Sequence, residues 1–198
     1  TDYYFPALPD ARTSYRVAAG LSRENIVGII VGTDPVRKGL FTAIKAIELL
    51  NDPRIILVSI GFPTHIQGSR QILNLGQVDD EKKLKYLQLA DFFIFPSLKE
   101  GFPISVLEAA SVGLPLIVSK NSNASDLKEM VPYFSQIDSS DPVDYKVEIK
   151  KFINFYESKK RNLTLPDRSL FEEYSIPKII STYSNAFREI QIENRKVS

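Results

Sequence analysis

Short apolar runs that stop at a glycine or a proline alternate along this chain with segments whose apolar residues fall at helical spacing, and few folds accept that order. Residues 25–32 form a nearly continuous apolar run, and Leu40, Ile44, Ile47 and Leu50 then share one helical face. Residues 54–60 and 70–75 are rich in β-branched and apolar side chains and end at Gly61 and Gly76. Residues 80–90 place Leu84 and Leu87 on one face, and residues 91–95 read as a buried strand closed by Pro96 and Ser97. Residues 104–112 suit a helix that Gly113 terminates and Pro115 keeps from continuing, before a short strand at Leu116–Ser119. Strand and helix in alternation imply parallel strands joined by crossover helices. The expected fold is α/β: a Rossmann-like, doubly wound parallel sheet with ligands at the carboxyl ends of its strands.

The ends of the chain read differently. Beyond Asp141 the pattern gives two helices, over residues 143–160 and 176–191, with no further strand. The stripe Ile176, Ile179, Ile180, Tyr183, Phe187 and Ile190 on the second reads as core packing. Residues 1–20, with Pro6 and Pro9, lack periodicity and read as a linker entering a domain that occupies 21–198. A chain of 198 residues fits one such domain, burying roughly 70% of its unfolded surface. Lysine and arginine number 25 against 24 aspartates and glutamates, so no overall field gathers nucleic acid or an anionic membrane. Without cysteine the chain builds neither a disulfide nor a thiolate metal site, which points to a reducing compartment such as the cytoplasm. Apolar runs such as Ile26–Val31 are far shorter than the roughly 20 residues that span a bilayer.

The chemistry concentrates in residues 95–113, F-P-S-L-K-E-G-F-P-I-S-V-L-E-A-A-S-V-G. Glu100 sits in the loop after a strand, where Gly101 and Phe102 bring backbone N–H groups and Pro103 opens a helix N-terminus toward the same space, which favours an anion. Glu108, inside the helix, is placed to accept hydrogen bonds from a vicinal diol, as acidic residues do for ribose in dinucleotide folds.

The segment E-G-F-P-I-S-V-L-E resembles the E-x7-E motif of the retaining glycosyltransferases of family 4, whose GT-B fold comprises two facing Rossmann-like domains. V-G-T-D-P-V-R-K-G resembles that family's loop after its first strand, and L-G-Q-V-D-D-E-K-K-L-K-Y-L-Q-L-A-D-F-F-I-F-P-S its approach to the motif. The resemblance implies that this is the donor half of such an enzyme, lacking an N-terminal acceptor-binding domain. Any membrane association would then come through that other half. It implies that Glu100 and Lys38 are catalytic, Glu100 bonding hydroxyls of the donor sugar and Lys38 neutralising the diphosphate. Gly101, Phe102, Pro103, Ile104 and Ser105 would bind sugar and diphosphate oxygens, Glu108 the ribose, and Gln77 and Val78 would lie near the base. Cations and amides then meet the leaving group, with no metal and no cofactor beyond the nucleoside-diphosphate sugar itself. Richness in isoleucine, lysine and asparagine, without cysteine or tryptophan, points to a setting in surface polysaccharide or glycolipid synthesis.

The chain departs from the family in three places. Thr33 stands where an arginine usually helps hold the diphosphate, with Arg37 as a nearby substitute. The span 61–70 is too short for the usual helix between the second and third strands. K-N-S-N-A-S-D, with Asp126, replaces a glycine-rich turn followed by glutamate. Thr33 keeps open an alternative, a non-catalytic glycosyltransferase-like partner subunit. An unrelated nucleotide-binding module is disfavoured by the absence of G-x-G-x-x-G and of a Walker loop. His65, the single histidine, is given no role.

Overall fold

The computed structural model describes residues 4–66, 69–101, 103–159, 161–163, 169 and 171, and the helix expected at 176–191 lies outside these. In chain order the elements are α1 (Pro9–Ala18), β1 (Ile26–Val31), α2 (Leu40–Leu50), β2 (Ile55–Ile60), β3 (Ile72–Asn74) and α3 (Asp80–Leu89). They continue with β4 (Phe92–Phe95), α4 (Ile104–Ser111), β5 (Leu116–Ser119), two 3-10 turns, β6 (Phe134–Ile137) and α5 (Pro142–Ser158). The six strands are parallel in the order β3-β2-β1-β4-β5-β6. The chain steps outward from β1 to β3, returns through α3 to β4, and steps outward again. The direction reverses between β1 and β4, and a crevice opens beyond their carboxyl ends, where such sheets take ligands.

The centre of the sheet explains its apolar sequence. Ile26, Val27, Ile29, Ile30 and all of β4 are shut off from solvent, so both faces of these strands need apolar side chains. Gly28 pairs across the sheet with Phe92, and a Cβ on it would stand 2.5 Å from the Phe92 ring. The large side chain on β4 thus requires the missing one on β1. Phe92 in turn packs on Phe152 of α5, with ring centroids 5.1 Å apart, which fixes α5 to the sheet. Each such buried ring contributes about 1.5–3 kcal/mol by removal from water.

Three features differ from or refine the sequence reading. Residues 9–18, read as part of a linker, form α1, whose residues are mostly exposed or partly so. Charge anchors it, beside the partly buried Tyr15: Arg12 and Arg16, one turn apart, reach the buried Asp91 at 2.5 and 2.7 Å. A helix docked by two arginines shows no apolar stripe. The second feature is β6, which lies at the sheet's edge with only Ile137 fully covered, so no continuous apolar run marks it. Third, the described residues between β2 and β3 contain no helix, as the short span implies. Asn74 braces that loop instead, its Nδ2 donating to the carbonyls of Pro63 at 2.8 Å and Ile66 at 3.1 Å. Among the described residues no helix is long and apolar enough to cross a membrane.

Candidate functional site

Two loops meet at the crevice. After β1, Asp34 Oδ1 accepts from the N–H groups of Val36 at 3.1 Å and Arg37 at 3.0 Å, and Lys38 N–H bonds back to the Asp34 carbonyl at 3.0 Å. These overlapping turns set Arg37 and Lys38 side by side. The Lys38 stem crosses Gly32, where a Cβ would stand 2.7 Å from Lys38 Cγ. Gly39 ends the loop with φ at 73°, and a Cβ there would stand 2.1 Å from the Pro96 carbonyl oxygen, so this position admits glycine alone. After β4, Leu98 N–H donates to the Arg37 carbonyl at 2.9 Å, stitching the second loop to the first.

Glu100 sits at this junction. Lys38 Nζ donates to both of its carboxylate oxygens, at 2.8 and 2.9 Å, Arg37 Nη1 lies 3.2 Å from Oε1, and Ser97 Oγ donates to the same oxygen at 2.6 Å. The Glu100 side chain is 6% exposed and that of Lys38 14%. Burial pushes the Glu100 carboxyl up, but Lys38, Ser97 and Arg37 outweigh it and hold the group below the usual carboxylate range. The Lys38 ammonium also stands over the Phe95 ring, 5.1 Å from its centroid. The backbone of Glu100 is held from the far side: its N–H donates to the Asn121 carbonyl at 3.0 Å, and Asn123 Nδ2 donates to the carbonyls of Glu100 at 2.7 Å and Gly101 at 3.1 Å.

Glu108 belongs to a second cluster. Lys83 of α3 reaches its Oε1 at 2.9 Å and Asp80 at 3.1 Å, with the Tyr4 ring 5.3 Å away. Burial works against the Lys83 charge, yet Tyr4, Glu108 and Asp80 together raise its pKa well above the ordinary lysine value. Burial pushes the Tyr4 phenol up to about 12. Pro103 is buried at the start of α4, Ile104 is exposed, Ser105 half-buried, and among the described residues no side chain caps this helix. Its first N–H groups therefore have no partner within the helix. Gly101 and Thr33 are exposed, and Phe102 lies outside the described residues. Gln77 and Val78 follow β3, two strands away from β1 at the sheet's edge.

The sequence-expected residues thus form one tight group, Arg37, Lys38 and Glu100, and a separate pair in which Glu108 is anchored by a lysine that spacing did not mark. Ser97 and Asn123 were visible only as parts of F-P-S and K-N-S-N, without assigned roles. A cleft of about 600 Å³ runs beside the Glu100 loop, bounded by Leu98, Lys120, Asn123 and Asp138. Another, of about 550 Å³, lies at the amino ends of the strands around Arg12, Arg16, Asp91 and Tyr156. These polar groups bond to one another at the end of the sheet away from the crevice, whereas the first cleft borders Glu100 at the strands' carboxyl ends. Among the described residues no group of three metal-ligating side chains comes together.

Comparison with known proteins adds an independent line. The family model described as "Glycosyl transferases group 1" matches residues 12–161. The UDP-Gal:alpha-D-GlcNAc-diphosphoundecaprenol alpha-1,3-galactosyltransferase of Escherichia coli is 30% identical over 138 residues, 67% of this chain and 34% of that protein. The chain spans about a third of the length of the curated relatives it matches. Among solved structures, Anabaena Alr3699/HepE in complex with UDP-glucose superposes with a TM-score of 0.66 at 15% identity, over 77% of this chain and 45% of that one. The C-terminal domain of the group 1 family protein LpcC from Francisella tularensis gives 0.58 at 19% identity, over 76% of this chain and 85% of that one. The architecture is that of one Rossmann-like half of a GT-B fold.

Proposed function

This chain belongs to the group 1 glycosyl transferases, and on that premise we propose that it is the donor-binding domain of a retaining enzyme that moves a sugar from a nucleoside diphosphate to a hydroxyl acceptor. The observation that carries the reading is the meeting of Lys38, Arg37 and Glu100 at the point where the sheet reverses direction, beside the uncapped start of α4. The diphosphate faces Lys38, Arg37 and the N–H groups of Ile104 and Ser105. Glu100 takes hydroxyls of the sugar, with Gly101 and Pro103 shaping the turn beside it. Glu108 takes the ribose diol, and Thr33, Gln77 and Val78 border the phosphate and the base. A second domain supplies the acceptor, in the synthesis of a surface polysaccharide or glycolipid.

The chemistry follows from charge. When the bond between the anomeric carbon and the diphosphate oxygen breaks, negative charge grows on the leaving group. Fixed cations and N–H groups aimed at that oxygen stabilise the transition state more than the ground state. A charge-assisted contact contributes about 1.5–3 kcal/mol, or roughly one to two decades in rate. Calorimetric titration of the chain with UDP, GDP and ADP tests the reading. One of the three is expected to bind, and Lys38→Ala to weaken the diphosphate while sparing the bare nucleoside. A folded chain that binds none of them would sink the proposal.

A further inference from the structure

We propose that Glu100 is the residue by which this site tells a sugar-bearing donor from a bare nucleoside diphosphate, acting as an internal counter-anion that a diphosphate must displace. The inference rests on the donor-site reading above and goes beyond it. Two of the three N–H donors of Lys38 are spent on the two oxygens of Glu100, at 2.8 and 2.9 Å, and the Phe95 ring covers another side of the ammonium. Arg37, the other cation of the crevice, also turns to Glu100, at 3.2 Å. The carboxylate is largely sheltered from water, at 6% exposure, and Ser97 locks it in place at 2.6 Å. The positive charge meant for a diphosphate is therefore already matched by a fixed negative one.

An incoming diphosphate brings further negative charge to the same cations. It must then draw Lys38 and Arg37 away from Glu100, or share them across a like-charge approach that is poorly screened at so little exposure. A sugar on the diphosphate changes the balance, because its hydroxyls donate hydrogen bonds to the carboxylate oxygens that the cations release. A bare nucleoside diphosphate has nothing to offer in return. Glu100 thus disfavours the bare nucleotide and favours the sugar nucleotide. The same bias would loosen the nucleotide once the sugar has left it.

The test is a variant whose effects have opposite signs. Glu100→Gln keeps the shape and removes the charge, and the side chain sits in a loop, so folding is checked by thermal melting. Calorimetry on this chain with UDP, GDP and ADP and their glucose, mannose and galactose conjugates should show the variant binding the bare nucleotide several-fold more tightly. It should bind the sugar nucleotide no better or more weakly, so that the preference between them falls about tenfold. The gain should shrink as salt is raised and vanish when Lys38→Met is also present. Unchanged or weaker binding of the bare nucleotide by Glu100→Gln overturns the inference and leaves the donor site standing. Failure of the unaltered chain to bind any of these ligands overturns both.

Discussion

Lys83 of α3 holds Glu108 of α4 through a single oxygen, Oε1, at 2.9 Å. The first expected outcome concerns this pair. Glu108→Gln replaces a charged acceptor at the proposed diol site, where a hydrogen bond to a charged group contributes roughly 1.5–3 kcal/mol. Affinity for the nucleoside diphosphate should fall on the order of tenfold to a hundredfold. Lys83→Met should cost less, several-fold, because the carboxylate keeps its charge and loses only its anchor. The two effects should be less than additive, as expected for groups in contact. Titration with the nucleotide that binds best decides the matter, and equal affinity in Glu108→Gln would remove this residue from the site.

A second prediction concerns alkaline stability. Burial raises the phenol pKa of Tyr4 to about 12 and raises those of Tyr133, Tyr145 and Tyr156 above the ordinary value. In the unfolded chain these groups ionise near 10. The folded state therefore binds more protons than the unfolded one above that pH, and stability falls as pH rises. The contribution is whole below about 10 and is lost progressively through the folded values, near 12 for Tyr4. Urea midpoints measured at pH 8, 9.5 and 11 should decline across the last interval. A midpoint that stays level would contradict the assignment.

The sheet was legible because its strands carry their own signal. Leu116–Ser119 is found where the sequence places it, and β1, β2 and β4 differ from their expected limits by a residue or so, since buried parallel strands must be apolar throughout. Once β1 and β4 are neighbours, Lys38 and Glu100 fall together although 62 residues separate them. The elements that stayed hidden are those whose sequence carries no continuous apolar run. α1 is docked by Arg12 and Arg16, and β6 is a short edge strand. The Lys83–Glu108 pair depends on how α3 is rotated against α4, which no spacing along the chain encodes.

Asp91 gives a third test. Its carboxylate, wholly enclosed, accepts from Arg16 at 2.7 Å, from the Val27 N–H at 2.7 Å, from Arg12 at 2.5 Å and from the Tyr156 hydroxyl at 2.5 Å. It joins α1, β1 and α5 at the amino end of the sheet. Removing one member of a buried ion pair leaves the partners uncompensated, at a cost of about 3–5 kcal/mol. Asp91→Ala should destabilise the chain by about that amount in urea unfolding, and amides of α1 should lose protection first in hydrogen exchange. A loss within the error of the measurement would mean that α1 is held by other contacts.

The last prediction isolates Asn123, which stands at a departure from the family's glycine-rich turn. It adopts the left-handed conformation, with φ at 52°, and its side-chain amide donates to the carbonyls of Glu100 and Gly101. Asparagine is among the few residues that visit this conformation readily, and glycine does so without strain. Asn123→Gly therefore preserves the turn and deletes only the two hydrogen bonds, each contributing about 0.5–1.5 kcal/mol. Asn123→Asp keeps the shape but sets a carboxylate against two carbonyl oxygens, an arrangement of acceptors facing acceptors. If Asn123 positions the Glu100 loop, both variants should melt only a few degrees lower, as two lost hydrogen bonds require, and bind the sugar nucleotide more weakly, by several-fold for glycine and by more for aspartate. Binding of the bare nucleoside diphosphate should change much less, because Lys38 lies on the other loop. A merely structural asparagine would lower the melting temperature and move the two ligands together, and that pattern in calorimetry would refute the positioning role.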